Sequence, residues 1–147
     1  MDAAEHPLPL TLLVADRVYH DRETGKWVVA GIFSNIHFPS LPRNYDLMEI
    51  FFQVTNISRP VDLHLRIEHS EGDALLDVGG PIAGASPLDV IPRRVVLRNL
   101  PFTKPGKYWV MLKSGEEILM QVPLFVSIRP PQQQPPAPPS GEPGGFT

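Results

Sequence analysis

The chain has 147 residues, with 16 acidic side chains against 13 basic ones for a formal charge of -3, and no cysteine. That length fits one domain able to bury a core without staples. The composition excludes a disulfide framework, a thiolate metal site and a cysteine nucleophile, and the near-balanced charge argues against a nucleic-acid or membrane partner.

Residues 1–8 read as a flexible lead-in. Asp2 and Glu5 stand where a secretory signal needs basic residues, and the apolar run Leu10 to Ala15 is too short to span a bilayer. The expected location is therefore cytoplasmic, and the run Leu10 to His20 is expected to be a strand. A polar turn, Asp21 to Lys26, leads into Trp27 to Phe33, so these two strands should form a hairpin. Gly31 inside the second implies a bulge or a close backbone approach. Pro39 to Tyr45 reads as a loop.

Alternation is clearest in the middle of the chain. Met48, Ile50, Phe52 and Val54 fall on one face, with Glu49, Phe51 and Gln53 on the other. In Val61 to His69, Val61, Leu63, Leu65 and Ile67 oppose Asp62, His64, Arg66 and Glu68. Such a pattern belongs to a sheet with one wet face. Ala74 to Val78 is a further strand, Gly79 to Pro87 an extended crossover loop, and Leu88 to Leu100 a strand marked by Pro92 as edge or bulge.

Two alternating runs around Ser114-Gly115-Glu116 then form a last hairpin, with Pro123 again implying an edge or bulge. Setting Lys113 opposite Glu117 places Leu112 against Ile118, Val110 against Met120 and Tyr108 against Val122 on the core face. Trp109, Met111, Leu119 and Phe125 then fall on the outer face, more apolar side chains than scattered exposure requires. They are the candidate partner-binding residues. The tail, residues 129–147, is rich in Pro, Gln and Gly and is expected to be disordered. Its Pro135, Pro136, Pro138 and Pro139 form overlapping P-x-x-P registers that could serve as a groove ligand or a spacer.

About eight short strands without a sustained helical period predict an all-β, immunoglobulin-like antiparallel sandwich over residues 9–128. Ala15-Asp16, Gly31-Ile32-Phe33 before a Pro-bracketed loop, and Gly106-x-Tyr108 in the closing hairpin carry a resemblance. Over residues 10 to 127 the chain resembles an uncharacterised bacterial family of small immunoglobulin-like sandwich proteins. That resemblance implies the fold and no activity. A tyrosine corner at Tyr108 should bond its hydroxyl to nearby backbone.

Motifs for chemistry are weak. Gly79 to Ser86 lacks the Gly-Lys-Ser/Thr ending of a phosphate loop, and Ser86 lacks the context of a nucleophile elbow. His64 and Glu68 lie roughly 13 Å apart along one strand, too far to chelate an ion together. His69, Glu71 and Asp73 around a turn could at most hold a weak cation, and a solvated turn built on Gly72 is the better reading. His37 reads as a loop packing residue. Asn56-Ile57-Ser58 is a glycosylation sequon that matters only in a secreted chain. Arg93, Arg94 and Arg98 have no interleaved aromatics and should answer neighbouring acids. No cofactor and no metal are expected. The function class that follows is a non-enzymatic module presenting a sheet surface to a protein or to its own copy. The alternative is binding of a sugar or metabolite.

Overall fold

The computed structural model describes residues 6–129. The tail from residue 130 onward, with Pro135, Pro136, Pro138 and Pro139, lies outside the described residues. Among the described residues nine strands form: β1 Leu8–His20, β2 Trp27–Ile32, β3 Asn35–Phe38, β4 Arg43–Thr55, β5 Val61–His69, β6 Ala74–Ile82, β7 Ile91–Phe102, β8 Gly106–Ser114 and β9 Glu117–Ile128. They make a four-stranded sheet in the order β2-β1-β4-β7 and a five-stranded sheet in the order β3-β9-β8-β5-β6. The neighbours β1-β4-β7 and β5-β8-β9 correspond to the A-B-E and C-F-G sets of the immunoglobulin fold, with β6 added beside C. The fold is an immunoglobulin-like β-sandwich.

Period-two alternation builds the core. Met48, Ile50, Phe52 and Val54 from β4 meet Leu63, Leu65 and Ile67 from β5 and Tyr108, Val110 and Leu112 from β8, all buried in one cluster. Both sheets thereby hide their inner faces from water, the main gain of the architecture. Tyr108 Oη donates to the Lys104 carbonyl at 2.7 Å, so the tyrosine corner is present. Its ring meets Phe102 and the edge of His69.

Several expected boundaries differ. The segment Asn35–Phe38 is a strand of four residues that pairs parallel with β9, the exception to an antiparallel sandwich. Four residues are too few for alternation to be legible. β4 begins at Arg43, inside the expected loop, and β6 runs on through Gly79, Gly80 and Pro81 to Ile82. β6 is an edge strand, where Pro leaves no ladder bond unmade. At the other end of the chain, Pro7 is buried and the His6 carbonyl accepts from Asn56 Nδ2 at 2.8 Å, so the described part of the lead-in is tied down.

The last hairpin closes through a two-residue turn, Gly115-Glu116, with Gly115 at φ 60° and Ser114 opposite Glu117. Lys113 faces Ile118 instead of Glu117, and Glu117 reaches His6 at 3.4 Å. Leu119 is an extra residue in a bulge, after which Leu112 faces Met120 and Val110 faces Val122. The slip at the turn and the bulge add to two residues. An even shift preserves the faces, which is why Tyr108, Val110 and Leu112 point inward as expected.

The β1–β2 hairpin does something that alternation does not disclose. Phe51 lies opposite Leu13, and Trp27 lies opposite His20, seven residues further along β1. On a straight strand that separation is roughly 23 Å. Yet the Trp27 and Phe51 rings lie 5.5 Å apart. The hairpin therefore curls back over the outer face of the four-stranded sheet. Ala15, Val18 and Phe51 are buried beneath it with Leu13, Trp27 and Val29 packed against them, a second small core. Gly31 permits the bend: its φ is +74°, and a Cβ there would stand 2.4 Å from Asp16 Oδ2.

Candidate binding surfaces

The outer face of the five-stranded sheet carries the residues expected to meet a partner, and the structure divides them. Met111 is only 3% exposed, flanked across the sheet by Arg66 and Gln121. Leu119 packs against the main core, because the bulge directs both it and Met120 inward. Neither belongs to an open contact surface, which corrects that part of the expectation. Trp109 is half-buried, opposite Pro123, with the Lys107 ammonium 4.1 Å from its ring centroid. Phe125 alone of the four is exposed, at 42%. Pro123 sits where β9 lacks a second neighbour, since β3 pairs only from Phe125 onward.

Beside Trp109 the same face turns polar. Arg66 donates to Glu68 at 2.7 Å and to Asp77 at 3.1 Å, and Asp77 also faces His64 at 3.2 Å. With Lys113 and Glu116 these groups line a shallow cleft of about 360 Å³. His64 and Glu68 do not share a ligand position, as the strand rise implied; Arg66 and Asp77 connect them instead.

The β5–β6 turn is occupied by its own bonds. His69 is buried, with Nε2 3.0 Å from the Pro105 carbonyl and Nδ1 3.1 Å from the Glu71 N–H. The proton thus sits on Nε2, and neither nitrogen is left for a ligand. Lys104 bridges Asp73 and Glu71. The hydrogen bond from Lys104 holds the Asp73 carboxyl below the usual range, and the same bond, with help from Glu71, raises the Lys104 ammonium. Among the described residues no group of three or more His, Cys, Asp or Glu side chains could hold a metal ion.

The basic cluster splits between faces. Arg94 donates to Glu49 at 2.5 Å on the outer face of the four-stranded sheet, where Glu49 is 1% exposed and lies 3.4 Å from the Val18 N–H. Arg93, opposite Phe52, stands on the inward-facing register at the edge. His37 is not a loop residue: on β3 its Nδ1 lies 2.5 Å from Ser127 Oγ, directly across the parallel pair. The pair is exposed and joins two strands. Ser86 is a turn residue that accepts from the Leu88 N–H.

Two features were missed in the sequence. One is a slot of about 330 Å³ between the sheets where the β6 and β7 edges face each other, lined by Phe52, Leu63, Leu65, Val95, Leu112 and the Gly79-Gly80-Pro81 run among others. The other is the loop before β7. Asp89 Oδ2 accepts from the N–H groups of Ala85 and Ser86 at 2.9 and 3.0 Å. Thr55 Oγ1 donates to the Asp89 carbonyl at 2.7 Å, and the Asn56 N–H donates to Pro87 at 3.0 Å. At its tip Leu88 is 89% exposed, with Val90 exposed beside it and Leu8 exposed across Thr55. Neither shows in the sequence, because both depend on which strands become edges and which loop meets β4.

No described helix is long and apolar enough to cross a membrane. Among curated proteins nothing matches the chain significantly. Among solved structures, the chain is similar to a β-glucosidase from Listeria innocua in complex with glucose at 8% identity and a TM-score of 0.45, over 83% of this chain and 16% of that one. It is similar to an immunoglobulin-like protein from Pseudomonas aeruginosa at 12% identity and a TM-score of 0.40, over 84% of this chain and 98% of that one. The chain thus spans about one sixth of the glucosidase, at 16% of its length. A family model matches residues 10–127, and the chain belongs to the family of unknown function DUF6941.

Proposed function

We propose that the chain is a non-enzymatic interaction module that offers an apolar surface of its sandwich to a protein partner, which can be a second copy of itself. The observation that carries this reading is Leu88, 89% exposed on a loop that four side-chain and backbone bonds hold in place. An apolar side chain held out to water by a braced loop loses little entropy when a partner covers it. Leu8, Leu10 and Val90 enlarge the patch at that end, and Phe125 with the open part of Trp109 offers a second apolar spot on the five-stranded sheet. A cytoplasmic setting goes with this reading, since a chain without cysteine needs no oxidising compartment.

The test is site-specific photocrosslinking of the full chain from position 88, with position 22 in the distant β1–β2 turn as control. A discrete adduct from position 88 that Val90→Ser weakens supports the surface. Equal labelling from both positions, or no adduct in the native host and in concentrated protein, refutes it.

A further inference from the structure

The slot between β6 and β7 has a chemistry of its own, separate from the apolar end. Gly80 lies on the inward-facing register of β6, opposite Leu63 of the core. A Cβ at Gly80 would meet nothing within 4 Å, and its φ lies outside the left-handed region. The inward position that a side chain would fill is therefore empty space, and this is where the slot opens. Its floor is apolar: Phe52, Leu63, Leu65, Val95 and Leu112 all belong to or pack against the main core.

The rim carries arginine. Arg93, Arg94 and His64 line the slot, and no carboxylate does. Arg94 is committed to Glu49 and His64 to Asp77. Arg93 stands on the inward-facing register, and its hydrogen bond is a local one to the carbonyl of Pro92 at 2.8 Å. Such a guanidinium offers several donors to a planar anion, and carboxylate geometry matches it. A slot of about 330 Å³ admits about eleven non-hydrogen atoms at the volume of liquid water, ~30 Å³ each.

We infer that this slot binds a medium-chain monocarboxylate, its apolar chain between the sheets under Gly80 and its carboxylate on Arg93. An apolar cavity with a few placed polar groups is the usual form of a small-ligand site. No covalent step is involved. Octanoate has the size and charge required, and 1-octanol has nearly the same chain without the charge.

The experiment titrates the full chain with octanoate and with 1-octanol, following backbone amide resonances. Saturable shifts at Gly79, Gly80 and Val95 are expected with octanoate. Gly80→Val should fill the slot and abolish them, and Gly80→Ala should weaken them if the larger residue disturbs folding. Arg93→Gln should weaken octanoate about tenfold or more, the effect of losing a charge-assisted hydrogen bond, and leave 1-octanol unchanged. Thermal melts of each variant confirm that the fold persists. The inference is overturned if octanoate gives no saturation, if its shifts survive Gly80→Val, or if octanol binds as tightly as octanoate. The last result would mean a purely apolar occupant, such as a partner's side chain. The crosslinking from position 88 reads a different surface, so either result stands without the other.

Discussion

Single residues in this protein act through the groups they satisfy as much as through the area they hide. Tyr108 is buried by its ring and closes the β7–β8 corner through its hydroxyl, at 2.7 Å from the Lys104 carbonyl. Tyr108→Phe keeps the ring packing against Phe102 and removes only that bond. Chemical denaturation should report a loss of about 1 kcal/mol, the net worth of one hydrogen bond. A loss below ~0.3 kcal/mol would mean the corner is held by packing alone. Met111 teaches the same lesson from the other side. It stands on the outer register, yet the long side chains around it leave it only 3% exposed. Face assignment by alternation says where a side chain starts and not what covers it.

At the scale of elements, the curled β1–β2 hairpin is the least conventional part of the sandwich. Two strand ends that could have extended into water instead cover Phe51 and the Glu49 carboxylate. Glu49 is buried while its partner Arg94 is partly exposed, so removing Arg94 would leave a sheltered carboxylate without its guanidinium. Trp27 is the largest side chain of the strap, its ring tilted against Phe51 and edged by His20. Trp27→Ala should cost about 2 kcal/mol, less than for a fully buried Trp because Trp27 is half-exposed. Hydrogen exchange should rise at the amides of Arg17 to Val29 and stay unchanged in β4 and β8. Exchange that rises equally across both sheets would mean the strap is continuous with the main core.

For the whole molecule, the shifted ionisations contribute to how stability depends on pH. Asp73 is lowered chiefly by its hydrogen bond from Lys104. Its contribution is present above the unfolded carboxyl value of 3.8 and is lost as pH falls through the lower folded value. Lys104 is raised by Asp73 first and Glu71 second, and burial raises Tyr45 and Tyr108. These groups hold their protons longer when folded, so their contribution is present at neutral pH and is lost as pH rises through values above 10. Melting temperature should therefore fall at both extremes of pH. Replacing Lys104 with Met should remove part of the fall on each side, because one bridge serves both. If the variant's profile superposes on the parent's, the bridge contributes nothing.

The sequence by itself determined the class of fold. Strand β5 alternates with period two over nine residues, β4 and β8 each carry an apolar set at every second position, and burying those sets leaves two packed sheets as the outcome. The position of the Gly115 turn, though not its two-residue length, and the corner at Tyr108 were legible for the same local reason: each is specified by a few adjacent residues. Pairing across the molecule was not. The bulge at Leu119 took that residue into the core, and the parallel β3–β9 pair and the curl over Phe51 depend on partners far away in sequence. The slot was hidden for a further reason. Gly80 looks like loop punctuation in the chain, and it becomes a missing wall only when β6 is an edge strand facing inward across from Arg93 and Val95. Local pattern decides which side of a strand is apolar, whereas only the tertiary arrangement decides which apolar positions are filled, covered or left open.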